Sequence, residues 1–412
     1  MNESLWFDDL EQFLICPRRY YLEREEISSR WEKTIFEQET RDMMRAGFSV
    51  EKPVIAVELF GRTLVSDPEL VVPDGDRWKV VLKKSAKHFK NKYYLEAAFH
   101  GYVFSSAGFI VSQVIIDTPY FVKEIDWRDG LTRLFSVIES VVQLGMNDPP
   151  DPKPISHCKS CQYVLNCTEL LVQKKDLLAI HGLNEKTRMK LTENGIGNLL
   201  DLVHSEGIKD ISKESFEKMK KKAIALLEKR EIILSEYEEL ADGVFLDIES
   251  HTLREFDYLF GVLVDDSYIP FLSENEDQEY KVFSNLLEFL DQTEGPIYHY
   301  CPYEPSRFSN LIQEWRDLKP LGERIKRRFV DLYQILTKHV ALPLFTYSLK
   351  SVARFYGFNW RTKLDGLKAS RYFQLWLNTH DDSYLKTVLD YNEDDTRATR
   401  LILEKLKILR NH

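Results

Sequence analysis

The sequence predicts a multidomain α/β protein, and three observations carry that reading. At 412 residues the chain is long enough for two to four domains of roughly 100–200 residues each. Its local pattern changes twice, near residue 170 and near residue 240. Its hydrophobic content of 43% is ordinary for domains with full cores. The expected divisions are 1–170 (mixed helix and strand), 171–237 (short helices only) and 238–412 (strands first, then alternation with helices, the pattern of a mixed sheet flanked by helices).

Composition also bounds the function. No apolar run is long enough to span a bilayer, so no membrane is expected. The start, "MNESLWFDDLEQF", is acidic and amphipathic rather than a signal peptide, so a soluble, cytoplasmic protein is the expectation. The formal net charge of −10 gives no global attraction for nucleic acid. Local basic clusters exist in "RWKVVLKKSAKHFKNK" and "EKMKKKAIALLEKR", each either a solvated face or a binding patch. Five cysteines are an odd number for a disulfide framework.

The first region opens with the apolar-periodic "LEQFLICPRRYYLERE". It closes, after the Pro-rich loop "NDPPDPKPISHC", with Cys158, Cys161 and Cys167. A structural zinc site more often shows two short cysteine pairs. Here the fourth thiolate must come from afar, and Cys16 in "FLICPRRYYLE" is the only suitable partner. Cys301 reads as a small buried hydrophobe. Four thiolates suit either an iron–sulfur cluster or zinc.

This cysteine pattern, with "CPRRYYLE", resembles the iron–sulfur RecB-type nucleases. In those proteins one cysteine precedes a PD-(D/E)XK core and three follow it. The resemblance implies a 4Fe–4S cluster on Cys16, Cys158, Cys161 and Cys167 that staples the domain ends. The nuclease pattern itself needs an Asp and then Glu-x-Lys on the next strand. "SDPELVV" supplies Asp67 and "WKVVLKKSA" supplies Lys84, but Leu82 stands where the Glu belongs. No His appears in the preceding helix around "FEQETRDMMRAG". The site is therefore expected to be catalytically degenerate. Its lysines (Lys79, Lys83, Lys84, Lys87, Lys90, Lys92) are left for phosphate contacts that fix register without reading sequence.

In the middle region, "IHGLNEKTRMKLTENGIGNLLDL" has a helical period broken at Gly195-Ile196-Gly197. It resembles a helix–hairpin–helix motif, with Gly182 and Leu183 beginning the unit. Glycines let the backbone approach a phosphate, and the next helix N-terminus favours the anion. Gly195 and Gly197 are the expected contacts; the alternative is a helical linker with a glycine cap.

In the last region, "GVFLDIES" reads as a strand, and "YLFGVLVDDSYIPFL" as two strands joined at Asp265-Asp266-Ser267. A helix follows near 277–292, then the short strand "PIYHY". Residues i and i+2 of a strand share a face. Phe245, Asp247 and Glu249 therefore point one way, Leu246 and Ile248 the other. Two acids on one face repel unless a cation lies between them, and hard cations such as Mg²⁺ and Mn²⁺ take oxygen ligands. The alternative is a strand end with two solvated acids.

Near the C-terminus, "VLDYNEDDTRATRLILEKL" packs Asp390, Glu393, Asp394 and Asp395 into six residues. On a helix over 385–409, Val388, Tyr391, Asp395, Ala398 and Ile402 form one stripe. Asp395 is thus the acid expected to face inward, with Tyr391 one turn before it. Glu393 is expected to be solvated, with Asp390 and Asp394 on the flank.

Asp-x-Glu on a first strand, a central acid, and Tyr-x-x-x-Asp on a late helix resemble the DEDD 3′–5′ exonucleases of the ribonuclease H-like fold. "FLDIES", "IYHYCPYEPSRF", "FVDLYQIL", "YSLKSVARFYGF" and "YNEDDTRATRLI" resemble, in order, the RecB-like putative nucleases with such a C-terminal domain. The resemblance implies two-metal hydrolysis with Mg²⁺ or Mn²⁺ held by Asp247, Glu249, Glu304 and Asp395, and Tyr391 orienting the attacking water. Glu304 departs from the Asp usual at that place and is one methylene longer. Asp331 is either a helix cap or an outer-shell acid; Lys350 either contacts a phosphate or is solvated. The partner implied is nucleic acid, DNA ahead of RNA. The alternative function is a non-catalytic nucleic-acid-binding or redox-responsive iron–sulfur protein with decayed nuclease sites.

Overall fold

The computed structural model describes residues 4–27, 34–144, 148–159, 161–251 and 256–411. The chain divides into two compact units, Met1–Asp151 and Pro152–His412. The division falls at residue 151, whereas the sequence pattern changes near 170, so Cys158, Cys161 and Cys167 lie in the second unit.

In the first unit, β1 (Ser4–Leu5), β3 (Ile55–Leu59) and β4 (Arg62–Ser66) form a small sheet of order β1-β4-β3. A second sheet has the order β2-β5-β6-β7-β8, from β2 (Val50–Glu51), β5 (Leu70–Asp74), β6 (Arg77–Lys83), β7 (Val111–Asp117) and β8 (Val122–Ile125). The parallel β6–β7 pair is joined through helix α4 (Lys92–Ser106). Helices α1 (Phe7–Ile15), α2 (Pro17–Ile27), α3 (Thr34–Arg45) and α5 (Leu131–Leu144) complete the unit.

Strand β6, "RWKVVLK", alternates as a pleated strand must: Trp78, Val80 and Leu82 enter the core. Helix α4 is apolar on nearly every side, the pattern of a helix buried all round. Its exceptions, Glu96 and His100, are nevertheless buried. Gly101 of this helix lets Trp127 pack directly on its backbone, since a Cβ there would lie 2.3 Å from Trp127 Cγ.

The second unit begins with helices α6 (Val164–Gln173), α7 (Glu185–Glu193), α8 (Leu199–His204) and α9 (Lys213–Glu228). Leu171, Leu191, Ile196, Leu199, Phe216 and Leu226 form their core, which Phe345 joins from further along the chain. The expectation of helices alone over 171–237 is corrected here. Strand β9 (Ile232–Ile233) pairs antiparallel with β15 (Val340–Ala341). Two residues are too few to show a strand period in sequence.

A five-stranded mixed sheet follows, of order β12-β11-β10-β13-β14. Its central strand is β10 (Val244–Ser250), antiparallel to β11 (Asp257–Val264) and parallel to β13 (Ile297–His299). β12 (Ser267–Leu272) and β14 (Phe329–Asp331) are the edges. One face of β10, Val244, Leu246 and Ile248, packs with Phe283, Leu287, Phe308 and Ile325 of α10 (Glu276–Asp291), α11 (Tyr303–Glu314) and α12 (Lys319–Lys326). On the other face Phe245 packs with Leu336, Val352 and Ile402 of α13 (Leu332–His339), α14 (Leu349–Phe355) and α16 (Asp382–Arg410). α15 (Gly366–Thr379) lies against α16 and β10. The alternation read from "FLDIES" is therefore the one that separates the two cores.

Gly261 of β11 lies directly against α16: a Cβ there would fall 1.6 Å from Asn392 Oδ1. Gly261→Ala should lower stability by about 1–3 kcal/mol, the usual range for overpacking. Chemical denaturation checks this, and a midpoint equal to that of the unmodified protein would show the contact to be slack.

Candidate metal centre

The acidic face of β10 is set opposite one stripe of α16. Val388, Ala398 and Ile402 are fully buried on that stripe, which fixes the helix rotation and brings Tyr391 and Asp395 inward. Ligand oxygens of Asp247, Glu249 and Asp395 all lie within 4.8 Å of one another. Glu249 and Asp395 are buried and Asp247 is half-buried. These acids come from positions nearly 150 residues apart in the chain.

Burial and mutual repulsion dominate their electrostatics. Burial, then the neighbouring Asp395, Glu249 and Glu304 carboxylates, push Asp247 well above the usual carboxylate range. Burial and Asp395 do the same to Glu249. Asp395 is raised, mainly by burial, to about 6, with Lys350 and hydrogen bonds from Trp360 and Tyr391 opposing the shift. The Lys350 ammonium is the cation here: it donates to Leu364 O and stands 4.8 Å from the Tyr391 ring centroid.

The other sequence-marked residues are placed as follows. Tyr391 is buried, with its hydroxyl in hydrogen-bonding reach of the Asp395 carboxylate. Glu304, in the first turn of α11, is 4% exposed and close enough to raise Asp247 and Glu249, but it is not one of the three acids that converge. Its Oε2 lies 3.6 Å from His299 Nδ1 and is buried without a hydrogen-bond partner. Asp331 caps α13, its Oδ1 accepting from the Tyr333 and Gln334 amides. The same oxygen accepts from the Cys301 N–H and so anchors the turn before α11.

The rest of the acidic run is corrected by the structure. Glu393 is not solvated: Arg361 and Arg397 both pair with it, at 2.8 and 2.7 Å. Asp394 is buried and receives the Arg361 amide and Nε at 2.7 and 2.8 Å. Arg361 also reaches Asp390 at 3.0 Å. One guanidinium thus holds three of the four acids away from the cluster. Its planar, multi-donor fork suits that task.

Two positioning residues had no sequence signal beyond their place on these elements. Asn392 Nδ2 donates to Asp247 Oδ2 at 2.6 Å, and Tyr268 holds the amide by donating to Asn392 Oδ1 at 2.8 Å. Trp360 Nε1 donates to Asp395 Oδ1 at 2.7 Å. Two of the three acids are therefore oriented by neutral donors, the role that outer partners play around metal ligands.

Away from this cluster, the turn between α7 and α8 has Gly195 at φ +81°, a left-handed conformation suited to glycine. The Gly195 amide donates to Thr192 O and the Gly197 amide to Asp201 Oδ2 at 2.9 Å. A carboxylate of the same chain thus occupies one of the two expected phosphate contacts. In the first unit, Lys84 pairs with Glu96 at 2.8 Å. Cys16 Sγ accepts from the Arg19 amide and Cys158 Sγ from the Ile155 amide. Among the described residues no helix is long and apolar enough to cross a membrane.

A family model described as the RNase_H superfamily matches residues 244–407. The second unit therefore carries an RNase H-like domain, a nuclease-type fold, and its acid triad fits a divalent-metal site. No curated protein matches the chain. One solved structure similar to it is described as the crystal structure of SSO0001. It is 16% identical, with 40% of this chain and 87% of that one covered and a TM-score of 0.24.

An acid whose folded pKa exceeds its unfolded value binds its proton more tightly when folded. Asp395 rises from 3.8 to about 6, so its contribution favours folding below 3.8 and is lost as pH rises through 6. In chelator at pH 7–8, Asp395→Asn should therefore raise the thermal midpoint. Added Mn²⁺ should stabilise the unmodified protein more than this variant. Thermal melts with and without metal check both statements; destabilisation of Asp395→Asn in chelator would contradict them.

Proposed function

We propose that the second unit is a divalent-metal-dependent 3′–5′ exonuclease that hydrolyses phosphodiester bonds of DNA in preference to RNA. The observation that carries the reading is the convergence of Asp247, Glu249 and Asp395 on one face of an RNase H-like sheet. The 3′–5′ polarity rests on the likeness of Tyr391-x-x-x-Asp395 and the strand Asp-x-Glu to exonucleases of that class.

Asp247, Glu249 and Asp395 would hold the ions, with Glu304 as the fourth carboxylate. Bound divalent ions supply a water of lowered pKa and charge stabilisation at the leaving oxygen. The chain's own groups do the remaining work. Asn392 and Trp360 keep Asp247 and Asp395 in place. The Tyr391 hydroxyl orients the attacking water, and Lys350, the cation beside the triad, offers a contact for a substrate phosphate. Lys84 and the turn at Gly195 and Gly197 are proposed to contact the nucleic acid backbone; Lys84 and Gly197 would first have to exchange Glu96 and Asp201 for phosphate.

Cys16, Cys158, Cys161 and Cys167 are the proposed ligands of a 4Fe–4S cluster, a reading supported by their spacing in the sequence. Protein purified without oxygen should be brown, with iron and labile sulfide in step. A colourless protein with stoichiometric zinc would refute the cluster.

Activity is tested with DNA and RNA labelled at the 3′ or the 5′ end, in Mg²⁺ or Mn²⁺. Stepwise loss from the 3′ end is expected, lowered about 100-fold or more by Asp395→Asn and about 10–100-fold by Asn392→Ala, the range for losing an outer partner of a metal ligand. No cleavage with either metal, or cleavage indifferent to Asp395→Asn, would sink the reading.

A further inference from the structure

Beside the acid triad, the second unit carries a groove of about 720 Å³ between the segment 361–364 and helices α15 and α16. Arg361, Lys363, Lys368 and Arg371 line it, against one carboxylate, Asp390. Arg361 is held by the acids of α16. Lys363, Lys368 and Arg371 are exposed, and among the described residues they have no ion-pair partner. Three uncompensated cations thus stand together in a chain whose formal net charge is −10. Lys368, Arg371 and Leu375 fall at i, i+3 and i+7 of α15, so they meet the groove as one stripe.

The groove leads to the metal centre. Leu364 in its wall packs with Tyr391 in one small core cluster, and the Leu364 carbonyl accepts from Lys350. Gly366, the first residue of α15, would place a Cβ 4.0 Å from Glu249 Oε2. The cationic stripe therefore begins within one turn of a triad acid. A polyanion approaching three clustered carboxylates is repelled by them, and a lane of positive charge alongside offsets that repulsion. Glu249 and Asp395 are each only 6% exposed, so a phosphodiester reaches them as part of one strand freed from its complement.

We propose, resting on the exonuclease reading of the triad, that this groove holds the sugar–phosphate backbone of a single-stranded nucleic acid end, with phosphates on Lys363, Lys368 and Arg371. Contacts of this kind fix the register of the strand over the metal centre without reading its bases. A positively charged groove that tracks the backbone is the usual means of holding a single strand without sequence preference.

The test measures binding rather than cleavage. The full-length chain carries Asp247→Asn and Asp395→Asn, so that no substrate is consumed. The probe is oligothymidylate of about six nucleotides, within the site size of single-strand grooves, followed by fluorescence anisotropy from a 5′ label. Adding Lys363→Ala, Lys368→Ala and Arg371→Ala together should weaken binding about 10-fold or more at low salt. Each lost contact to a single-stranded phosphate lowers the slope of log affinity against log salt by about 0.7, so the triple variant should lose about 2 from that slope. A charge-matched control, Lys281→Ala with Lys319→Ala and Arg327→Ala near α10 and α12, should leave the slope unchanged. No measurable binding by the triad-silenced chain, an equal loss in the control, or a blunt hairpin duplex bound as tightly as the single strand would overturn the proposal. Cleavage by the unmodified chain together with binding indifferent to the groove variants would overturn the groove and leave the exonuclease reading intact. Binding that depends on the groove, without cleavage by the unmodified chain, would overturn the exonuclease reading alone.

Discussion

The second unit is organised around three carboxylates that repel one another. With oxygens no more than 4.8 Å apart, each ionised pair costs at least about 3 kcal/mol at an effective dielectric near 20. A typical net hydrogen bond returns only about 1 kcal/mol. One ammonium, Lys350, does not neutralise three such groups, and the fold instead raises their pKa values. Metal-free, the cluster is a standing strain; with divalent charge present, the same geometry becomes a ligand set.

The surrounding residues make sense as devices for holding that arrangement. Gly261 removes a side chain so that Asn392 can approach β11 and reach Asp247. Trp360 orients Asp395 while its neighbour Arg361 gathers Asp390, Glu393 and Asp394. The segment 360–361 thus sorts the acidic run of α16, turning one carboxylate toward the cluster and tying three others outside it. Asp331 serves at longer range, capping α13 and holding the turn that starts α11.

Much of this was legible in the sequence because it depends on periods. Two-residue alternation put Asp247 and Glu249 on one face, and the helical stripe singled out Tyr391 and Asp395. Asn392, Trp360 and Gly261 were not legible, because their roles come from contacts between elements far apart in the chain. Asp394 is tied by Arg361, about thirty residues away, and Glu393 by Arg361 together with Arg397 one turn further along the same helix, so the stripe alone gave the wrong answer for Glu393. Glu304 shows a further limit: sequence order marks it as the central acid, but its carboxylate sits toward His299, off the three that converge. In the first unit, strand reading found Leu82 where an acid was expected; Leu82 is buried in the core, and Lys84 is paired with Glu96 of α4.

The central claim is that Asp247, Glu249 and Asp395 exist as a group because a divalent cation holds them. Anomalous diffraction from crystals soaked in Mn²⁺ tests it most directly. The account predicts a peak at about 2.0–2.6 Å from oxygens of all three residues, the range for hard divalent cations. Full Mn²⁺ occupancy elsewhere in the chain, with no peak between these three carboxylates, would contradict it.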